Sequence, residues 1–264
     1  MNILIIGTND AELALLELCL KSKFLDKIYT ASSEPLDGIP NIEYNNYEEL
    51  AKKSRALNID IALTANNKLL KDGITDELKR FGVNIIGINK KWSNLDSRII
   101  SKNLAAHYSI NVPEIIKAPI TFPVVLKTDL PESTQIAESM SDLIEKKEIL
   151  IGKKNFLEEY MQGEVFYLLS LWDGKNIVSF NPPQKLTEVQ QDRLELYKTK
   201  LNFMLSDEKA DFTGFITSKL LWTRNDWYLL EYIIYPSVQT SLNTIEKDFL
   251  YILNLAVYQK LNEL

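Results

Sequence analysis

Over the first ninety residues, short β-rich runs alternate with helical patterns, and this alternation constrains the fold more than any other feature. NILII (Asn2–Ile6) ends at Gly7. NDAELALLELCLKS follows, with apolar residues at helical spacing and Asn9 or Asp10 placed as the N-cap. DKIYTAS, IDIALTA and VNIIGIN predict three further strands, and NYEELAKKSRALN and LLKDGITDELKRFG predict helices between them. Strand and helix in succession imply parallel βαβ units, because a parallel neighbour is reached only by a crossover. Residues 1–90 therefore read as a small doubly wound α/β domain.

The pattern then changes. DSRIISKNLAAHYSI predicts a helix closed by NVPEIIKAP, so residues 91–114 read as a helical linker. Over 115–264, FPVVLKTD, NFLEEYM, EVFYLLSLWDGKNIVSF, FTGFITSKLLWTR and DWYLLEYIIYP predict strands, with hairpin turns at DGK (173–175) and RND (224–226). LTEVQQDRLELYKTKLNFML and TIEKDFLYILNLAVYQKL predict helices, giving an α+β region with an antiparallel sheet.

Composition narrows the function. The chain has nine glycines in 264 residues, about half the usual share of roughly 7%, which argues against glycine loops that cradle phosphate. A net charge of −6 argues against a general nucleic-acid or anionic-membrane surface. No segment has the apolar length of a membrane span. The start MNILIIG lacks a basic region and a cleavage site, so the cytoplasm is the expected location. The single cysteine, Cys19, falls in an apolar helical pattern and reads as packing. The single histidine, His107, excludes a zinc site built on several histidines and reads as a structural or surface residue at a helix end.

Four motifs in order carry a resemblance. The start MNILIIGTNDAELALL looks like V-L-V-I-G-x-G-G-R-E-H-A-L. NIDIALTANNKLLKDGITDELKRFGVNIIGIN is similar to I-D-L-x-V-V-G-P-E-x-P-L-x-x-G-(I/V)-x-D. LEEYMQGEVFYLLSLWDG resembles (I/V)-E-E-(F/Y)-L-x-G-E-E, and DFTGFITSKLLWTRNDWYLLEYIIYPSVQT resembles Y-x-G-x-L-Y-x-G-L-M followed by V-(L/I)-E-F-N-x-R-F-G-D-P-E-T-Q. The chain thus resembles the glycinamide ribonucleotide synthetase family, the phosphoribosylamine–glycine ligases of purine synthesis, within the ATP-grasp superfamily. The resemblance implies a parallel βαβ domain followed by ATP-grasp lobes with antiparallel sheets, and ATP with Mg2+ held between them.

The resemblance maps the ATP-contacting lysine onto Lys127, whose bland reading is a solvated strand-end lysine, and an earlier family lysine onto Arg98. It places an adenine hinge at LEEYMQGE. Glu158 and Glu159 would lie along it, Tyr160 and Met161 would supply backbone and packing, and Glu164 would accept from the ribose. Glu231 stands where the first magnesium ligand would.

The departures fall on chemistry. The flexible glycine loop expected after Lys127 is TDLPESTQIAES, where Pro131 stiffens the segment and Glu132 would repel phosphate. G-G-R-E-H has become NDAEL, in which Glu12, with the flanking Ala14 and Leu15, persists. The family asparagine and arginine after Glu231 are Ile233 and Tyr235, which remove a metal ligand and a stabilising cation. The family enzyme continues into another C-terminal domain, whereas this sequence stops at Leu264.

Three readings stay open. One is a degenerate module that binds an adenine nucleotide or another small ligand without ligase activity. Another is a divergent ATP-dependent carboxylate–amine ligase that forms an acyl phosphate, with Asp211 or Glu164 adding metal oxygens. The third is a structural subunit, whose apolar helix FLYILNLAVYQKL could pack on a protein partner or a second copy.

Overall fold

Three four-stranded sheets frame the protein in a computed structural model that describes residues 1–119, 121–236, 242 and 245–264. The first sheet contains β1 (Asn2–Ile6), β2 (Lys27–Ala31), β3 (Ile61–Leu63) and β4 (Ile85–Ile86) in the order β2-β1-β3-β4, with every pairing parallel. Helices α1 (Asp10–Leu20), α2 (Tyr47–Ala56), α3 (Asn67–Asp72) and α4 (Ile74–Arg80) make the crossovers. The single helix predicted over LLKDGITDELKRFG is two helices. Gly73 between them has φ +95°, a left-handed conformation that suits glycine and stops the first helix.

β1 is buried on both faces, as a parallel central strand must be. Ile3 and Ile5 pack with α1, while Leu4 and Ile6 pack with α2 and α4. Asn9 caps α1 in a capping box with Glu12.

After a short 3-10 turn at Trp92–Asp96, α5 (Arg98–His107) leads into a small sheet. That sheet holds β5 (Ile115–Ile116), β6 (Val124–Thr128), β7 (Thr134–Ala137) and β8 (Asn155–Glu159) in the order β5-β8-β6-β7, and α6 (Met140–Ile149) packs on it. The third sheet, β9 (Glu164–Trp172), β10 (Ile177–Phe180), β11 (Gly214–Thr223) and β12 (Asp226–Ile233), is antiparallel in the order β10-β9-β11-β12.

The third sheet is covered on both faces. Phe166, Leu168 and Trp172 of β9 face α7 (Glu188–Asp207) and α5, while Leu169 and Leu171 share a core with α1 and α8 (Phe249–Val257). The expected hairpins form at 173–176 and at 224–225, where Arg224 and Asn225 both have positive φ. The tail of the β12 motif (Ser237–Thr240) and the start of the final predicted helix (Thr244) lie outside the described residues. Among the described residues no helix is long and apolar enough to cross a membrane.

Candidate ligand cleft

A cleft of about 290 Å³ lies against the third sheet, where Tyr167, Lys219, Glu231, Ile233, Ile234 and Tyr235 line it, and Asn67, Asp96 and Pro131 of the β6–β7 turn complete its wall. Strand periodicity explains which side chains reach its surroundings. On β6, Val124 and Leu126 pack toward α6, so Lys127 points the other way. On β8, Leu157 packs toward α6, so Glu158 shares the face of Lys127. The two strands place Lys127 opposite Phe156, one step diagonal from Glu158, and Lys127 Nζ lies 2.7 Å from Glu158 Oε2.

β12 needs a further device to present Glu231. Trp227 and Leu229 face the core under α7, and an unbroken period of two would send Glu231 there as well. A β-bulge intervenes: Leu220 pairs with Leu229 but the adjacent Lys219 pairs with Glu231, so Leu230 is the extra residue. The parity flips. Tyr232 continues into the core, Ile234 is buried there while also forming part of the cleft wall, and Glu231, Ile233 and Tyr235 turn to the cleft.

Two linked ion groups result. Arg98 Nε lies 2.5 Å from Glu231 Oε2, and Lys219 Nζ lies 3.1 Å from Glu231 Oε1. Lys102 and Lys127 both pair with Glu158, and the Lys102 and Glu158 side chains are each only 1% exposed. Three lysines and an arginine thus surround two carboxylates.

Burial pushes the Lys102 ammonium far below its ordinary range, and repulsion from Lys127 and Arg98 adds to this. Burial, with Arg98 and Lys219, also brings Lys127 down to about 8, against the pull of Glu231. Burial alone would raise the Glu231 carboxyl, but Arg98 and Lys219 outweigh it and hold the group below its usual value. The Tyr235 hydroxyl is pushed up by burial, then by Asp96, Glu231 and Glu12.

The structure brings together Arg98, Lys127, Glu158 and Glu231. The remaining candidates lie toward the rim. Glu159 pairs with Arg224 at 3.1 Å and accepts from the Glu114 amide. Tyr160 is exposed and Met161 half-buried. Glu164 is exposed at the start of β9, opposite Trp222. The Glu158 carboxylate, expected along the hinge, is turned inward to the two lysines. Asp211 lines a different cavity, where it accepts from Asn89 and Trp92. Ile233, Tyr235 and Pro131 line the cleft and leave its volume open. Glu132 faces outward to Lys153 at 2.7 Å, and the acid turned toward α5 is Asp129.

Sequence reasoning missed Lys102, Lys219, Asp96 and Asn67. For Lys102 a signal existed: it follows Arg98 by four residues, so both lie on one face of a helix. Glu12, the acid retained in NDAEL, is fully buried and accepts from the Asn9 and Ala65 amides, tying the end of β1 to the end of β3.

The residues present do not fit a magnesium ion. Both Glu231 oxygens are held by cations, the next cleft-facing position is an isoleucine, and magnesium requires near-octahedral oxygen ligands. Among the described residues, no group of three or more His, Cys, Asp or Glu is placed to hold a metal.

Comparison with known proteins follows the same outline. A family model described as "Phosphoribosylglycinamide synthetase, N domain" matches residues 1–96. Phosphoribosylamine–glycine ligase of Clostridium acetobutylicum is 27% identical, the match covering 100% of this chain and 76% of that protein. The ligase of Fusobacterium nucleatum is 23% identical, over 100% of this chain and 75% of the relative. Among solved structures, phosphoribosylamine–glycine ligase from Thermotoga maritima superposes with a TM-score of 0.76 at 17% identity, over 98% of this chain and 76% of that one. D-alanine–D-alanine ligase from Bacillus anthracis, complexed with ATP, gives 0.66 at 19% identity, over 100% and 98%. These likenesses show the ATP-grasp fold.

Proposed function

We propose that this chain, which belongs to the phosphoribosylglycinamide synthetase family of ATP-grasp proteins as a divergent member, binds an adenine nucleotide or a similar small anion in its cleft, with little or no ligase activity. The observation that carries this reading is the state of Glu231. Its two oxygens are engaged by Arg98 and Lys219, and Ile233 and Tyr235 follow it on the cleft face. Activating a carboxylate with ATP places negative charge on the transferred phosphoryl group, and metal ions normally neutralise it. This strand supplies no second oxygen ligand for such an ion.

Anion binding survives that loss. With Lys102 brought down to about 5 and so neutral at pH 7, Arg98, Lys127 and Lys219 stand against Glu158 and Glu231, which leaves one positive charge to spare, and cations are the groups that hold phosphate. In this reading Lys127 and Arg98 face the phosphates, the backbone at Tyr160 and Met161 meets the base, Glu158 and Glu159 flank the hinge, and Glu164 takes the ribose. The cleft's 290 Å³ is near the lower end of small-molecule sites, about 300–1,000 Å³, and suits a ligand that is only partly enclosed.

Calorimetric titration with ATP, with and without magnesium, tests the reading. The expected result is an affinity that magnesium changes by less than about threefold, with no ADP release when glycine or other carboxylate and amine pairs are added. Tight binding that depends on magnesium, or ADP release, overturns it.

A further inference from the structure

A second cavity, of about 430 Å³, opens at the other end of the third sheet and shares no lining residue with the cleft. Thr213 on its wall precedes β11, and Lys219 of the cleft lies six residues further along, about 20 Å at the rise of a strand. Its walls are fixed from within the chain. Asp173, fully buried at the β9–β10 turn, accepts from the Lys175, Asn176 and Leu261 amides and so ties that turn to the segment after α8. The Trp172 indole donates to the Ala210 carbonyl at 3.0 Å, which holds the segment after α7 against the same sheet. A site whose walls are already ordered loses little when a ligand enters.

Three groups on this cavity keep unused bonding capacity. Asp211 Oδ1 accepts from Asn89 Nδ2 and Trp92 Nε1, both at 3.1 Å, and among the described residues no donor reaches its Oδ2. Lys79 of α4 and Lys209 just beyond α7 line the cavity with it. Among the described residues neither ammonium has a carboxylate within 4.0 Å. Lys79 still feels Asp211: burial pulls its ammonium below the ordinary range, and Asp76 and Asp211 pull it back.

One carboxylate and two ammonium groups thus face the same space without pairing. A simple cation there would meet two lysines, and a simple anion would meet Asp211. A small molecule that carries both charges satisfies all three groups at once.

We propose that this cavity is a second small-molecule site that takes a free α-amino acid as its zwitterion, with the ammonium on Asp211 and the carboxylate between Lys79 and Lys209. The site does not rest on the nucleotide reading of the cleft. Lys79 belongs to the parallel domain and Asp211 to the α+β region, so the ligand would join the two.

Amide chemical shifts of the full chain, followed by NMR during titration with L-alanine and with L-glutamine, test this. At least one of them should move Gly174 and Thr213 while leaving Tyr167 and Lys219 of the cleft in place. Asp211→Asn keeps the Oδ1 acceptor for Asn89 and Trp92 and removes the charge, and Lys79→Met removes one cation at the surface. Each should weaken binding by about tenfold, the worth of one hydrogen bond to a charged group. Lys127→Met, in the cleft, should leave the affinity unchanged. Acetate and methylammonium, which carry one charge each, should bind more weakly than the amino acid. The proposal is overturned if neither amino acid moves Gly174 and Thr213, if the shifts appear at the cleft instead, or if either cavity variant binds as well as the wild type. Acetate binding as tightly as the amino acid also overturns it, since Asp211 would then have no part.

Discussion

Arg98 and Glu231 are joined at 2.5 Å, one at the start of α5 and the other just beyond the bulge of β12. Both are at least 93% buried, so the pair holds two ionised groups out of water and neither can be removed alone without leaving the other uncompensated. Glu231→Gln should lower the unfolding free energy by about 3–5 kcal/mol, the usual cost of breaking a buried pair. Replacing both groups, as Arg98→Met with Glu231→Leu, should cost less than either single change. Urea unfolding of the three variants measures this non-additivity.

On the proposed reading, Lys127 sets a pH limit on anion binding. With its ammonium brought down to about 8, the group is charged at pH 7 and mostly neutral at pH 9. ATP affinity should fall by roughly tenfold between these values, and Lys127→Met should remove that dependence. Stability moves the other way. Between about 8 and the ordinary value of 10.5, the unfolded chain holds a proton that the folded chain has lost, so this group makes unfolding harder as pH rises through that window. Titration and urea unfolding at both pH values check the two signs.

Gly163 admits no side chain. A Cβ there would lie 2.3 Å from the carbonyl oxygen of Trp222, just before β9 begins to pair with β11. Backbone is the obstacle, so relief requires a strand to shift. Gly163→Ala should destabilise by about 1–3 kcal/mol, the range for overpacking. Thermal unfolding measures it, and an unchanged midpoint contradicts the close approach.

Glu12 is a structural acid. Glu12→Ala removes the acceptor for the buried Ala65 amide and half of the capping box on α1. The expected loss is about 1–3 kcal/mol, with ATP affinity unchanged apart from the fraction unfolded. A specific loss of affinity in fully folded protein would place Glu12 in the binding site.

The first sheet was legible because alternation of strand and helix admits few arrangements, and β1 shows its two buried faces as an unbroken apolar run. The cleft was less legible. Apolar residues stand at both parities in LLEYIIYP, so the shift of phase is hidden and nothing there announces that Leu230 turns Glu231 out of the core. Lys102 sits among polar neighbours in SKNLAAH, where a lysine reads as solvated; burial came from packing between α5 and β8, which is distant in sequence. Pro131 and Glu132 stand out by their chemistry in the turn between β6 and β7, yet Asp129 makes the contacts to α5, because facing depends on the turn's conformation.

The packing of α8 has a consequence for how the chain is made. Leu250 and Leu253 share one core with Leu15 and Cys19 of α1 and with Ile3 and Ile5 of β1. During synthesis the first sheet leaves the ribosome early, but the part of the cover on one face that lies beyond α1 arrives only after every strand of the other two sheets. The nascent chain therefore carries an uncovered apolar surface through most of translation, which is the circumstance in which chaperones are engaged. The first ninety residues, expressed alone, would keep that surface permanently.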